Sequence, residues 1–83
     1  MSELSLVLLE DAVDVSAGRR APLGTARDYL VCAVEFAGSR ARSGEDAHAA
    51  LLRLILDGSG VVSILYQAAY RARLADHKEP KHQ

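Results

Sequence analysis

Residues His48 to His77 read HAALLRLILDGSGVVSILYQAAYRARLADH, two apolar runs split by Asp57-Gly58-Ser59-Gly60. This break constrains the fold more than any other feature of the chain. Runs this apolar need partners in water, and a short glycine-containing link makes them neighbours. The spacing predicts helices over about 44–57 and 60–77, packed as an antiparallel hairpin at the centre of the fold. On the second, Val61, Leu65, Ala68, Ala72 and Ala75 follow alternating four- and three-residue steps and form a core stripe. Val62, Ile64, Tyr66 and Tyr70 fall off that stripe. On the first, Ala47, Leu51 and Leu54 form the stripe, and Leu52, Ile55 and Leu56 widen it. Both apolar arcs exceed the roughly 100° that an amphipathic surface helix buries.

The remaining segments also read as helical. Thr25 is an N-cap with Asp28 three residues on, a capping-box pattern that starts a helix over 25–41. Leu30, Ala33 and Ala37 share its face, with Tyr29 and Phe36 at the edges. Ser43, followed by Glu45 and Asp46, marks the N-terminus of the helix after it. Over 3–17, Leu4, Leu8, Ala12 and Val15 make one helical stripe with Leu9 beside it, and Gly18 ends it. A strand fits less well, because Val7 and Leu9 sit where alternation requires polar residues; it would make the fold α+β. The expected architecture is all-α, a three- or four-helix bundle. It forms a single helical domain over residues 1–77, with a polar tail over 78–83 in which Pro80 ends the last helix.

A chain of 83 residues builds only a small core. Cys32 is its only cysteine, so no intrachain disulfide supports it. One cysteine and three scattered histidines do not make a zinc site, and no cofactor is expected. A second copy or a larger protein partner is the remaining support. The formal net charge of −1 argues against a strong non-specific nucleic-acid binder. No apolar run approaches the roughly 20 residues of a membrane span. The N-terminus lacks a basic segment ahead of its apolar stretch, the wrong order for a signal peptide, and the expected location is cytoplasmic.

Few residues suggest chemistry. Arg42 and His48, and Arg71 and His77, are each six positions apart. The second pair resembles the short R-x4–6-H motif of HEPN-type ribonucleases. That resemblance implies Arg71 and His77 of two chains flanking a phosphate, with His77 as acid/base and Arg71 as charge stabiliser. On an ideal helix six residues turn through about 240°, so the pair does not share a face. His48 lies just inside an acidic helix start, a favourable place for a histidine at a helix boundary, and no second histidine follows at i+4. Cys32 falls in the apolar YLVCAVEF and reads as a small buried hydrophobe. Gly58-Ser59-Gly60 follows a helix and precedes no Lys-Ser/Thr, so it is a turn and not a phosphate loop. As a helix-turn-helix, residues 46–77 would offer apolar Val61–Leu65 to the bases, while Arg71 and Arg73 come too late to reach anything but phosphate.

The sequence therefore predicts a small, non-enzymatic protein–protein interaction module such as an adaptor, inhibitor or accessory subunit. It would bury an apolar helical face by homodimerisation or against a larger partner. The candidate contact residues are Leu52, Ile55, Leu56, Val62, Tyr66, Tyr70 and Arg73, since Tyr and Arg are frequent interface anchors. No small-molecule substrate is evident. The alternatives are a nucleic-acid-binding helical dimer, which needs Arg19, Arg20, Arg40, Arg42, Arg71 and Arg73 on one face, and the ribonuclease.

Overall fold

The structure, a computed structural model, describes residues 1–78, with side chains through Asp76. Four helices follow one another: α1 Glu3–Ser16, α2 Ala26–Ser39, α3 Ala47–Leu56 and α4 Gly60–Lys78. Among the described residues there is no strand, and the fold is an all-α bundle. The N-terminal segment is helical, as its stripe predicted. The end of the helix at Pro80 and the tail beyond it lie outside the described residues.

Local chemistry sets the helix ends. The Ser2 side chain accepts the Ser5 N–H at 3.1 Å, and the Ser2 N–H donates to Glu35 of α2 at 2.8 Å. The Ser2 amide first, then the Ser5 and Ser2 hydroxyls and the N-terminal ammonium, hold the Glu35 carboxyl below its ordinary range. At the other end of α1, Gly18 takes φ +80°, where a Cβ is disfavoured. Its N–H reaches the Val15 carbonyl and the Arg19 N–H reaches the Asp14 carbonyl, the paired bonds of a Schellman end. The Thr25–Asp28 capping box is present with both of its bonds, at 3.1 and 2.9 Å.

The third helix starts later than its sequence suggests. Asp46, not Ser43, is the N-cap, and its carboxylate accepts the Ala49 N–H at 2.8 Å. Glu45 is occupied elsewhere. It takes two hydrogen bonds from Arg53, at 2.8 and 3.0 Å, and one from the Arg42 N–H at 2.8 Å. Arg53 also donates to the Arg40 carbonyl, so this pair ties the α2–α3 loop to α3. Chiefly through the Arg53 bonds, the Glu45 carboxyl falls from 4.5 to about 2. The unfolded chain then takes up this proton first as pH falls. The stabilisation is present above about pH 4.5 and is lost on acidification towards 2. Urea midpoints measured against pH should therefore show wild type above Glu45→Gln at neutral pH, with the gap closing between pH 4.5 and 2.

The α3–α4 arrangement departs from an antiparallel hairpin. The two axes turn by 99° at the break, so α3 crosses α4 and packs mainly on α2. Ser59 makes this corner. Its N–H closes α3 on the Leu54 carbonyl at 2.9 Å, while its hydroxyl accepts the Val62 N–H at 3.3 Å at the start of α4. The centre of the bundle is α4 against α1 and α2.

The core stripes are rotated from those expected. On α4, Val62, Leu65, Ala68, Ala69 and Ala72 are buried; Val61 is only half-buried and Ala75 is exposed. On α1, Ser5 takes the place expected for Leu4, which is half exposed. On α2, Tyr29, Cys32, Ala33, Phe36 and Ala37 are buried, and Leu30 faces out. On α3 only Ala50 is fully buried, with Leu51 and Leu54 half-buried against the core. The Cys32 thiol donates to the Ser5 carbonyl at 3.3 Å, and burial pushes its pKa up. It is the small buried residue that its apolar setting suggested.

Candidate interaction surface

The corner between α3 and α4 opens a groove of about 520 Å³. Ile55 forms its α3 wall, and Gly58 and Ser59 close one end. The α4 wall carries Val62, Ser63, Tyr66, Gln67 and Tyr70 at helical spacing. Gln67 donates to the Ser63 hydroxyl at 3.2 Å, which fixes the polar lip. Leu52 and Leu56 share a face of α3 with Ile55 and extend the apolar surface outward. Leu56 is 85% exposed and Leu52 62%. The only formal charge on α3 is Arg53, which is held by Glu45 at 2.8 Å and lies 4.0 Å from Asp57.

The structure thus brings most of the expected contact residues together. Ile55, Tyr66 and Tyr70 line the groove, Leu52 and Leu56 flank it, and Arg73 is exposed one turn beyond Tyr70. Val62 differs. At 1% exposure it is the groove's floor and a core residue, not a contact side chain. Ser63 and Gln67 were missed because they are polar, although their i, i+4 spacing beside Tyr66 and Tyr70 placed them on the same wall.

Other exposed apolar residues are interrupted by charge. Leu6, Val7 and Val13 of α1 alternate with Glu3, Glu10 and Asp14, and Leu30 and Val31 of α2 lie near Arg27. The groove walls have no acidic or basic side chain, and the charges nearest them on α3 are Arg53 and Asp57 at its C-terminal end.

The arginines do not gather on one face. Arg19, Arg20 and Arg71 line a separate cleft of about 280 Å³ at the C-terminal end of α1. Arg19 and Arg20 are paired there with Asp14 and Asp11, at 2.9 and 3.1 Å. Arg71 lies against Gly18, where an added Cβ would meet its guanidinium at 3.1 Å. Arg40 lies over the Phe36 ring at 5.1 Å, and Arg73 is on the opposite flank of α4 from Arg71. The His77 side chain lies outside the described residues, so the Arg71–His77 pairing is not described. Among the described residues, no group of three His, Cys, Asp or Glu side chains is placed to hold a metal ion. No single described helix is long and apolar enough to cross a membrane. Compared with known proteins, the chain matches no family model, no curated protein and no solved structure.

Proposed function

We propose that this chain is a small non-enzymatic interaction protein whose working surface is the groove between α3 and α4 together with the outer side of α3. The observation that carries the reading is the charge-free character of that groove. A quarter of the chain is charged, yet the groove walls present Ile, Val, Tyr and small polar residues with no acidic or basic side chain. Depletion of charge with enrichment of aromatics is the signature of a buried interface centre. Large contiguous apolar patches are also uncommon on free monomers.

The test is photo-crosslinking in the cells that make the protein, with p-benzoylphenylalanine in place of Leu52. Leu52 is largely exposed, so the replacement leaves the core intact. A protein adduct is expected from position 52 and none from the same group at Glu10, on exposed α1. Equal labelling at the two positions, or no adduct at 52, overturns the reading.

A further inference from the structure

Building on that interface reading, we propose that the occupant of the groove is a second copy of this chain, docked about a two-fold axis so that Leu56 of each copy seats in the groove of the other. Two features favour a second copy over other occupants, and a third sets the strength of the contact. The first is shape. A two-fold contact is isologous and needs a projection and a matching hollow side by side on one face. Leu56 is the most exposed large apolar side chain among those described, and it follows directly on Ile55, which forms the groove wall. The rotation that places one Leu56 in the opposite groove places the other reciprocally.

The second feature is charge. A two-fold axis sets like residues near one another, so a charged face repels its own copy; this face is uncharged at its centre. The reversal also brings the far end of the groove, marked by Tyr70 and then Arg73, onto the Gly58 end of the other copy. There the C-terminus of α3 presents the negative end of its dipole together with Asp57, which is 60% exposed and shares Arg53, at 4.0 Å, with Glu45. Arg73 is exposed and has no ion pair among the described residues. A lipid surface would instead be met by basic residues flanking the apolar face. Here the basic residues beside the face are Arg53, held by Glu45, and the single exposed Arg73.

The third feature is size. The face holds about half of the roughly 20–30 residues that each side of a standard interface contributes. A weak, reversible dimer with a dissociation constant of micromolar order is expected.

Sedimentation equilibrium from about 1 µM to about 1 mM tests this. The mass should rise from 8.9 kDa towards twice that value. Leu56→Glu should weaken the dimer at least tenfold, because it would place a charge in an apolar groove. Its circular dichroism should stay unchanged, since Leu56 is 85% exposed in the single chain. Arg73→Glu should weaken it by roughly two- to fivefold, in a salt-dependent way. Leu6→Glu, the same kind of change on exposed α1, should leave it intact. A dimer insensitive to Leu56→Glu, or one lost equally with Leu6→Glu, overturns the docking. A wild type monomeric throughout overturns the second copy as occupant. The Leu52 crosslink then separates the two levels: an adduct with a different protein keeps the interface reading alone, and no adduct removes both. Flotation of wild type, but not Leu56→Glu, with neutral or anionic phosphatidylcholine-based vesicles while no dimer forms also overturns the proposal, in favour of lipid.

Discussion

Leu65→Ala is expected to lower the free energy of unfolding by about 3 kcal/mol, within the range for buried leucine truncations. Leu65 is fully buried midway along the core stripe of α4. Most of its companions on that helix, Ala68, Ala69 and Ala72, are already small. Alanines offer little side chain that can swing into a vacated space, so the loss combines lost burial with a residual cavity. A domain of this length commonly has only about 5 kcal/mol in total, so the variant stands near the folding threshold. Urea unfolding followed by circular dichroism at low protein concentration is the measurement. Leu56→Ala is the control, and it should change stability by no more than about 0.5 kcal/mol there. At high concentration the proposed dimer predicts a growing penalty for Leu56→Ala and an unchanged one for Leu65→Ala, because only the former would be buried between copies. If Leu65→Ala costs no more than Leu56→Ala in the dilute chain, α4 is not the centre of the core.

The number and type of helices were legible because caps and breaks are local chemistry. Thr25 with Asp28, Gly18, and Gly58 before Ser59 each do their work within a few residues. The phase of the apolar stripes was less legible. Where apolar residues stand on both sides of a helix, a 3.6-residue period fits several rotations, and distant partners choose among them. Ser5 is buried in place of Leu4 because α2 meets it there: its carbonyl takes the Cys32 thiol and its hydroxyl lies beside Glu35. A serine carries no sign of such a partner. The misplaced cap has a similar origin. Ser43 and Asp46 are both competent caps, and what separates them is Arg53, eight residues past Glu45, which draws Glu45 into the loop.

The angle between α3 and α4 was not legible at all. The three-residue link Asp57–Ser59 tolerates a hairpin or a right-angled corner. The choice lies in Ser59 closing one helix while capping the next, and in α3 finding its main contact on α2. That corner creates the groove, since two helices folded flat against each other would have covered Ile55, Tyr66 and Tyr70. Of the residues that the apolar excess of 48–77 marked as contacts, Leu52, Ile55, Leu56, Tyr70 and Arg73 are exposed, Tyr66 is half-buried against the core and Val62 is buried. The reason was different from the one expected: α3 is turned across the bundle, not buried within it.

Tyr29 gives the second large effect. It is the largest fully buried side chain, and its hydroxyl accepts the Leu23 N–H at 3.1 Å. One residue thus fills the core from α2 and holds the linker between α1 and α2. The two roles separate by substitution. Tyr29→Ala removes both and is expected to cost about 4 kcal/mol, which would leave about 1 kcal/mol and roughly a sixth of the chains unfolded. Tyr29→Phe keeps the ring and removes only the acceptor, at an expected cost of about 1 kcal/mol. Leu23 is itself partly exposed, so its freed N–H can turn to water, which keeps that cost at the low end. Hydrogen exchange identifies the mechanism. In Tyr29→Phe the Leu23 amide should lose protection while the amides of α2 and α4 keep theirs. If the Leu23 amide remains protected, the linker is held by its own packing, and the phenol contributes volume alone. If protection falls throughout α2 as well, the hydroxyl bond supports the helix and not only the linker, and the cost of Tyr29→Phe should approach that of Tyr29→Ala.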